Sequence, residues 1–437
     1  MDYREAIDYL LSFADFERSG RFADRPDLAP MLALLEELGK PQAVRLTVHV
    51  AGSKGKGSTA AMIESILRQD GLQTGLYTSP HLHSFTERAR VNGRPITENE
   101  FAAWIEELVP AVSAVSGRLT GREFVTFDLL TALAFLAFRE RQVGVQVVEV
   151  GLGGRLDSTN VFEKTEVCVI TPLSLEHTAI LGSSITDIAR EKAAIIKPGS
   201  AVIMAPQAFW EAAKVIGARA VEQGAELIDV RKSYQWEQME QRMDGQRLLL
   251  TRRNGRRLEV RLPLLGRHQA ENAATALAAV EALPQPTSDE AIATGLANVS
   301  WPGRLEVLSR EPPVIADGAH NGESARRLKE ALQELFPGQD ITYVVGTSLD
   351  KDIEAIAREL APGAFRVIAT RSGHPRAMPP ERIVEAFQGQ GRQTETAEDV
   401  PAAIKSALAL ATAKTVICLV GSLFVAADAR QAMGLDR

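Results

Sequence analysis

The sequence predicts an α/β protein with mainly parallel sheets in two domains. Short apolar runs rich in β-branched residues recur along the chain and alternate with longer segments of helical pattern. This alternation is typical of buried parallel strands joined by crossover helices. A chain of 437 residues also exceeds the size of one ordinary core, which favours more than one domain. The predicted strands are Leu46–Val50, Val145–Val150, Val167–Thr171, Ala201–Met204, Pro313–Ala316, Ile341–Val345, Phe365–Ala369 and Thr415–Val420.

One antiparallel hairpin interrupts this pattern. Within Arg247–Leu262, Asn254 and Gly255 lie between two runs of alternating apolar and polar residues. Asn-Gly is a strong signal for a tight hairpin turn, because both residues tolerate a positive φ. We therefore expect two antiparallel strands in this segment.

A domain boundary is predicted where a helical part of the chain gives way to strands. The segment Asn298–Gly303 separates the helical stretches His268–Leu283 and Asp289–Ala297 from a new series of strands. Proline and glycine in such a segment are typical of turns and linkers. We place the boundary after residue 298, which gives domains of residues 1–298 and 299–437.

The composition argues against several classes of protein. A net charge of −7 disfavours a nucleic-acid-binding surface, although one basic cleft for an anionic substrate is compatible with it. Cys168 and Cys418 each lie in an apolar run and are predicted to be buried thiols, without a disulfide or zinc. The start of the chain lacks a leader pattern, and no apolar run approaches ~18 residues. We therefore expect a cytoplasmic protein with no membrane partner.

The segment Leu46–Thr59 carries the strongest chemical signal. A buried strand leads into the glycine-rich run Gly52–Thr59, and a helix at Ala60–Gln69 follows. Glycines let backbone N–H groups turn toward phosphate oxygens, and a helix N-terminus adds partial positive charge. In such a loop Lys56 can reach the β- and γ-phosphates, while Ser58 offers a hydroxyl to magnesium. The order of strand, loop and helix predicts a P-loop ATPase-like N-terminal domain.

The spacing of this loop departs from the strict Walker A pattern. Gly52 comes too early, and Gly57 intervenes after the lysine. The alternative interpretation is a surface turn rich in glycine and lysine.

A second signal is the segment Val145–Asn160. Its strand ends in Glu149, which places a carboxylate at the carboxyl edge of the sheet, beside the phosphate loop. A magnesium ion that bridges phosphates needs such an oxygen ligand. The alternative is a nicotinamide-binding turn, because Gly151 and Gly153 fit G-x-G. Leu156, however, occupies the position of the third glycine of that motif.

The segment Thr171–Gly199 holds two further candidates. His177 follows a strand and a short loop, where a lone histidine is more often structural than a ligand. Lys192 lies in the predicted helix Ile188–Lys197 among Ala and Ile, where a lysine usually extends to solvent or pairs with an acid such as Glu191. Neither residue decides a function alone.

Taken together, the motifs of this chain resemble one family. They occur in order from about Tyr3 to Ala427, nearly the whole chain. The set is similar to the folylpolyglutamate synthase/dihydrofolate synthase branch of the Mur ligase superfamily. The matching motifs are GSKGKGS (52–58), YTSPHL (77–82), RARVNG (88–93), EVGLGGRLDSTN (149–160), HTAILG (177–182), EKAAIIKPG (191–199), HQAENAATAL (268–277), WPGRLE (301–306), DGAHN (317–321), DKD (350–352) and GSLF (421–424).

The resemblance implies a set of nucleotide and metal ligands. It implies ATP bound at the P-loop ATPase-like domain, with contacts that approach from a smaller, Rossmann-like α/β C-terminal domain, and two magnesium ions. The implied ATP-binding residues are Gly52, Ser53, Lys54, Gly55, Lys56, Gly57, Ser58, Asn272, Arg304 and Asp317. The implied metal ligands are Ser58, Ser79, Glu149 and His177.

The resemblance also implies catalytic and substrate-binding residues. Lys192 matches the lysine that this family carbamylates, which turns a cation into an acid, and it joins Lys56 and His320 in the implied catalytic set. His320 and Ser422 match positions that bind glutamate in the second domain. Phe124 and Phe127 fall in the segment where the family carries its pterin-contacting loop.

Three positions depart from the pattern of the family. Lys54 stands where the family usually has Asn, Glu176 replaces the usual Asp, and Gly322 replaces the usual Pro. None of them removes an implied ligand, so the activity class is unaffected and fine substrate preference is what they put in doubt.

The expected function is an ATP-dependent ligase that adds L-glutamate to a folate-type acid. The acid is dihydropteroate, a reduced folate or both, activated as an acyl phosphate, and the enzyme is expected to be a monomer. One alternative is a Mur-type ligase for another acid or amino acid. Another is a nucleotide-binding switch, against which Lys56, Glu149, His177 and Lys192 argue. A dehydrogenase is the third, and NADH binding would reveal it.

Overall fold

The computed structural model describes residues 1–15, 27–44, 46–119 and 123–435. In these ranges the chain forms two α/β units, each built on a parallel-dominated sheet, and a small antiparallel sheet packs against the first unit. The predicted fold class is therefore confirmed. No helix in the described ranges is both long and apolar enough to cross a membrane.

The first unit is organised around an eight-stranded sheet. Its order is β4-β3-β2-β5-β1-β6-β7-β8, and only the β3–β4 hairpin at one edge runs antiparallel to its neighbours. The central strands β1, β5 and β6 are fully buried. The strands are β1 (Leu46–Ala51), β2 (Thr74–Tyr77), β3 (Ala89–Val91), β4 (Arg94–Pro95), β5 (Val145–Glu149), β6 (Val167–Ile170), β7 (Ala201–Met204) and β8 (Glu226–Asp229).

Helices cover both faces of this sheet and create separate cores. One core lies between the sheet, the helices Lys56–Gln69 and Arg267–Glu281, and the small sheet. A second core is built mainly from the four helices that begin at residues 3, 29, 98 and 126. The α-helices of this unit are Tyr3–Leu11, Ala29–Glu37, Lys56–Gln69, Glu98–Ser116, Thr126–Glu140, Thr178–Leu181, Ile185–Ala193, Trp210–Glu222, Val230–Ser233, Arg267–Glu281 and Asp289–Ala297, with a 3₁₀ turn at Phe85–Arg88.

The small sheet contains the predicted hairpin and one strand more. It has the order β11-β10-β9, formed by β9 (Gln235–Arg242), β10 (Gly245–Thr251) and β11 (Arg257–Leu262). The antiparallel pairing of β10 and β11 confirms the prediction, but the connection is wider than a two-residue turn. Thr251 pairs with Arg257, and the loop between them closes through a hydrogen bond from Arg252 N to Arg256 O at 2.9 Å.

The second unit is a six-stranded sheet of order β12-β13-β17-β14-β15-β16, parallel except for edge strand β12. Helices pack on both faces, which gives the sheet a core on each side. Its strands are β12 (Glu306–Arg310), β13 (Pro313–Ala316), β14 (Asp340–Val345), β15 (Arg366–Ala369), β16 (Thr394–Thr396) and β17 (Thr415–Val420). Its helices are Gly322–Leu335, Ile353–Leu360, Pro380–Gln388, Val400–Ala409 and Leu423–Ala432, with a 3₁₀ turn at Ala361–Gly363.

Several predicted details can be compared with these elements. All eight predicted strands are present within one residue at each end. The helix predicted at Ile188–Lys197 instead spans Ile185–Ala193, because Ser184 caps its N-terminus and the chain leaves the helix after Ala193. Cys168 and Cys418 are buried free thiols, as predicted. The boundary after residue 298 stays a prediction.

Candidate active site

The phosphate loop is anchored by the loop that follows strand β6, which ends at Ile170. The carbonyl oxygen of Pro172 accepts hydrogen bonds from Ser53 N and Lys54 N, both at 3.1 Å, and Ser53 Oγ donates to Ser174 O at 3.2 Å. Two of the loop N–H groups are therefore engaged within the protein. A bound phosphate would therefore use other N–H groups of the loop than these two.

The remaining N–H groups of the loop lie at a helix N-terminus. The helix begins at Lys56, earlier than the predicted start at Ala60, and Gly55 caps it with a φ of +83°. In the described part of the chain, the N–H groups of Lys56, Gly57 and Ser58 have no acceptor. Unpaired N–H groups at a helix N-terminus favour anions such as phosphate.

Helix Arg267–Glu281 packs directly on this loop. Asn272 lies so close to Gly55 that a Cβ atom at position 55 would come 2.6 Å from Asn272 Oδ1. The amide of Asn272 donates to Gln269 Oε1 at 2.9 Å, and Gln269 Nε2 lies 3.4 Å from Ser58 Oγ. The ATP-binding candidates Asn272 and Ser58 are thus linked through Gln269.

Glu149 ends β5, directly beside Val50 of β1. Its Oε2 accepts a hydrogen bond from Ser79 N at 3.2 Å, so two of the predicted metal ligands meet. Burial raises the pKa of Glu149, while the charges of Lys56 and Arg304 oppose the shift. Within the described ranges no cationic nitrogen lies within 4.0 Å of this carboxylate, which leaves a buried anion suited to a cation.

The donor atoms around Glu149 fit a hard divalent cation. Hydroxyl and carboxylate oxygens are the ligands that magnesium prefers, with waters and phosphate oxygens completing its shell. In the described ranges no three His, Cys, Asp or Glu side chains converge as a ready-made metal cluster. An ion at this position would therefore depend on Ser58, Ser79 and Glu149 together with oxygens of a bound nucleotide.

A second buried acid, Asp157, holds the loop after β5. Its oxygens accept from Leu152 N at 2.8 Å, Thr159 N at 3.0 Å and Thr159 Oγ1 at 2.5 Å. Unlike Glu149, this carboxylate is occupied by the loop that it shapes. Asp157 therefore supports the segment Val145–Asn160 rather than offering a free ligand.

Lys192 lies at the centre of a buried charge network. Its Nζ donates to Gly52 O at 2.9 Å and to Glu176 Oε1 at 3.1 Å. The side chain is 2% exposed, and burial lowers the pKa of Lys192 to about 8. Glu191, the acid expected as a partner for a plain lysine, is paired with Arg155 at 2.9 Å instead. The cation of Lys192 thus contacts the phosphate loop itself.

Two of the positions that depart from the family pattern contact each other. Lys54 Nζ lies 3.8 Å from Glu176 Oε2, while the other oxygen of Glu176 binds Lys192. Burial alone would raise the pKa of Glu176, but the charges of Lys192, Lys56 and Lys54 lower it to about 2. One carboxylate therefore serves two lysines.

His177 follows Glu176 at the start of the short helix Thr178–Leu181. It adopts a left-handed conformation with φ of +48°, uncommon for a residue other than glycine, and it is solvent-exposed. The charges of Lys192 and Lys56 act on its ring. His177 thus lies at the site, although it is not in contact with Glu149 in this conformation.

The second unit contributes Arg304, Asp317 and His320. Asp317 accepts from Leu305 N at 2.7 Å and Ala319 N at 2.8 Å, which fixes the loop after β13. Arg304 is partly buried, and the charges of Asp317 in its own unit and of Glu149 in the first unit both act on it, so it lies near the junction of the two units. Gly318 lets this guanidinium pass, because a Cβ atom at position 318 would collide with it.

His320 is a neutral hydrogen-bonding group. Its Nδ1 donates to Gly318 O at 2.9 Å, which leaves Nε2 as an acceptor. Burial and the charge of Lys54 lower the pKa of His320 to about 3. The neutral ring can therefore accept a hydrogen bond from a substrate amine, whereas a pKa this low makes it a weak proton acceptor. Because the charge of Lys54 acts on this ring, the phosphate loop lies close to the second unit.

The substrate candidates differ in their surroundings. Ser422 caps the helix Leu423–Ala432, and its Oγ accepts from Val425 N at 3.1 Å. Phe127 packs at the start of its helix against Gly151 and 6.0 Å from the ring centroid of Tyr77. Phe124 is buried in the helical core at 4% exposure. In this conformation Phe124 therefore offers no surface to a ligand.

Sequence reasoning missed Pro172 and Gln269, which hold the phosphate loop. Gln269 belongs to the motif at 268–277 and lies three residues before Asn272 on the same helix, so it could have been found there as a neighbour of that candidate. Pro172 acts through its carbonyl oxygen, for which no sequence signal exists.

A cavity of about 360 Å³ lies beside the loop, between the two units. Its walls include Pro172 and Phe209 from the first unit and Arg327 from the helix Gly322–Leu335.

Comparisons with known proteins cover most of the chain. The Mur ligase middle domain matches residues 50–280, and the Mur ligase glutamate ligase domain matches residues 303–423. The dihydrofolate synthase/folylpolyglutamate synthase of Bacillus subtilis is 34% identical over 94% of this chain and 96% of its own length. A probable bifunctional folylpolyglutamate synthase/dihydropteroate synthase of Haloferax volcanii is 36% identical over 98% of this chain. The chain spans 50% of that relative.

A solved structure shows the same similarity as these sequence relatives. A folylpolyglutamate synthase of Mycobacterium tuberculosis, complexed with ADP and AMPPCP, superposes with a TM-score of 0.88 at 33% identity, and 99% of each chain is covered.

Proposed function

This chain belongs to the Mur ligase family of folylpolyglutamate and dihydrofolate synthases and is an ATP-dependent ligase that joins glutamate to folates; we propose that it does so through an acyl phosphate formed at the phosphate loop. The observation that carries the proposal is the set of free N–H groups at Lys56–Ser58, which lie with the cation Lys56 close to the buried acid Glu149. A phosphoryl group needs this combination of donors and counter-charges.

The proposed ATP site combines both units. The triphosphate binds the free N–H groups and Lys56, and Asn272 supports the loop from behind. Arg304 and Asp317 approach from the second unit. We propose that the nucleoside occupies the 360 Å³ cavity, where Phe209 offers an aromatic face for the base.

The proposed magnesium ligands are Ser58, Ser79, Glu149 and His177, for two ions. When bound, magnesium neutralises phosphate charge and acts as a Lewis acid on the γ-phosphoryl group. The buried carboxylate of Glu149, without a cationic partner in the described ranges, supports this role.

In the proposed reaction the carboxylate of the folate-type acid attacks the γ-phosphorus of ATP, and ADP leaves. Lys56 counters the charge that develops on the transferred phosphoryl group. The amine of glutamate then attacks the acyl carbon, phosphate leaves, and the amine loses a proton as the amide forms. The proton of the amine passes to water or to the departing phosphate. His320, neutral and with Nε2 as an acceptor, is positioned to orient the amine by accepting a hydrogen bond from it.

Lys192 is proposed to act as a carbamate. In carbamylation a neutral amine adds to dissolved CO2, forms an N–C bond and releases a proton to water. Burial lowers the pKa of Lys192 to about 8, which increases the neutral fraction near neutral pH. The modified side chain is an anion that offers oxygens to metal and substrate in place of an ammonium. All proposed groups come from one chain, so a monomer is the proposed working state.

The test is a ligase assay on the purified protein with ATP, magnesium and L-glutamate. Dihydropteroate and tetrahydrofolate are offered separately, and ADP and the amide product are both quantified. We expect ADP release only when acid and glutamate are both present, and the acid that turns over identifies the substrate. The Lys56→Ala variant is the blank, with a rate reduced roughly a hundred- to thousandfold. ADP release at the same rate with and without the acid and glutamate would contradict the proposal.

A further inference from the structure

A second cavity, of about 250 Å³, lies between the helix Lys56–Gln69, the β3–β4 hairpin and the segment that joins the two units. Three arginines line it: Arg68 from the helix, Arg90 from β3 and Arg94 from β4. Glu64 is the one acid in its lining. None of these residues belongs to the proposed active site.

The guanidinium of Arg90 is partly buried, and the charges of Glu87 and Glu64 act on it from beyond ion-pair distance. Its Nε donates to Glu87 O at 3.3 Å, and its central carbon lies 5.6 Å from the ring centroid of Trp301. In the described ranges no carboxylate oxygen lies within 4.0 Å of it. Buried charges in proteins are usually paired, so an unpaired guanidinium at a cavity wall is suited to an external anion.

The other two arginines add charge that is only partly neutralised. Arg68 Nε donates to Glu64 Oε1 at 3.2 Å, and the same oxygen accepts from Thr74 Oγ1 at 2.6 Å. Gly93 makes room for this guanidinium, because a Cβ atom there would lie 2.8 Å from Arg68 Nε. Arg94 is exposed and has no ion pair in the described part of the chain. The cavity therefore holds three cations and one anion.

We propose that this cavity is a second binding site, distinct from the catalytic one, for a small oxyanion that carries a phosphate or carboxylate group. Planar guanidinium groups present paired N–H donors that match the oxygens of both kinds of anion. Two products of the proposed reaction carry such groups, namely inorganic phosphate and the γ-glutamyl chain. The choice of anion, but not the site, rests on the proposed function.

The site contacts the catalytic loop through Trp301. A Cβ atom at Gly57 would lie 2.7 Å from Trp301 Cζ2, and Gly57 follows Lys56 directly. The ring that packs against the catalytic loop is therefore the ring that faces Arg90. An anion that draws Arg90 away from Trp301 changes the packing of the phosphate loop, so occupancy of this site is expected to change the KM for ATP.

The experiment is isothermal titration calorimetry of the full chain with sodium phosphate and, in a second arm, with γ-glutamylglutamate. All variants carry Lys56→Ala, which weakens binding of phosphate at the catalytic loop. We expect one site in this background, at least tenfold weaker binding after Arg90→Met, and unchanged binding after Arg118→Met, a remote arginine paired with Glu37. The arm that gives heat identifies the anion.

Each outcome of the titration either supports or overturns the proposal. Absence of heat in the Lys56→Ala background in both arms, or equal binding after Arg90→Met, overturns the proposal. If circular dichroism shows that Arg90→Met does not fold, the exposed Arg94 provides the test instead. Arg94→Met must then weaken anion binding at least threefold. A ligase assay without added anion keeps the two proposals apart. In this assay Arg94→Met is made in the otherwise native chain, with Lys56 intact, and it should retain the native kcat.

Discussion

Within the described residues, the buried carboxylate of Glu149 accepts one hydrogen bond, from Ser79 N at 3.2 Å. Glu149→Gln keeps the volume and an acceptor for that bond but removes the anion. We expect a roughly hundred- to thousandfold lower rate that no longer depends on magnesium. Thermal stability should be unchanged or slightly higher, because a buried charge is removed. The exposed Glu290→Gln is the matched control, and retained magnesium dependence in Glu149→Gln would exclude its role as a ligand.

Lys192 gives a prediction with a chemical rescue. Lys192→Ala should be nearly inactive, because it removes both the proposed carbamate and the contact with Gly52 O. Acetate or propionate should restore part of the rate by filling the vacated space with a carboxylate. In the native chain, raising the pH through about 8 increases the neutral amine and hence carbamate formation. A folded variant that neither carboxylate rescues would argue for an unmodified lysine paired with Glu176.

Lys54 and Glu176 both differ from the residues that are usual in the family, and they contact each other. A double-mutant cycle can test whether the two differences are coupled. Glu176→Asp shortens the acid and leaves the partly buried Lys54 without its partner at 3.8 Å. Lys54→Asn in addition should recover part of the lost unfolding free energy and of the affinity for ATP. We expect a coupling of about 1 kcal/mol or more in chemical denaturation and a parallel effect on the KM for ATP. Additive effects would show that the two departures are independent.

Within the phosphate-loop element, Gly55 combines a positive φ with a close neighbour. Gly71 has almost the same φ, +84° against +83°, but nothing within 4 Å of an added Cβ. Gly71→Ala should therefore cost only the backbone strain, roughly 1 kcal/mol. Gly55→Ala adds the collision with Asn272 and should also weaken ATP binding severalfold. Denaturation and nucleotide titration measure both, and equal behaviour of the two variants would refute the packing argument.

Buried elements were predictable from sequence, and edge elements were not. Strands such as β1 and β17 are buried throughout, so their apolar runs predict them directly. Strands β8 and β16 are short and partly exposed, and they carry polar residues that also suit loops. Their pairing with a neighbouring strand, which sequence periodicity does not contain, decides their structure.

In the active site, too, some features were predictable from sequence and others were not. The strand, loop and helix around Lys56 follow local rules, so sequence alone predicts a phosphate site there. The partner of Lys192 does not follow from local rules, because Glu176 approaches it across a loop and displaces the neighbouring Glu191 as counter-ion. Contacts of this kind arise from tertiary packing.

At the scale of the whole molecule, the proposed active site combines charged residues from both units. Arg304 acts on Glu149 across the cleft, and Lys54 acts on His320. Neither unit contains a complete set of proposed ATP ligands, so relative movement of the units would assemble or open the site. Closure of this kind also excludes water, which would hydrolyse an acyl phosphate.

The predicted boundary after residue 298 can be tested with fragments. A fragment of residues 299–437 should fold alone, because the cores on both faces of its sheet come almost entirely from its own residues. We expect a cooperative thermal transition by circular dichroism and no ligase activity. A fragment of residues 322–437 is the control: it lacks β12 and β13, so it exposes the edge of β17 and should not fold cooperatively. An unfolded 299–437 fragment would show that the boundary is misplaced or that the first unit is needed for folding.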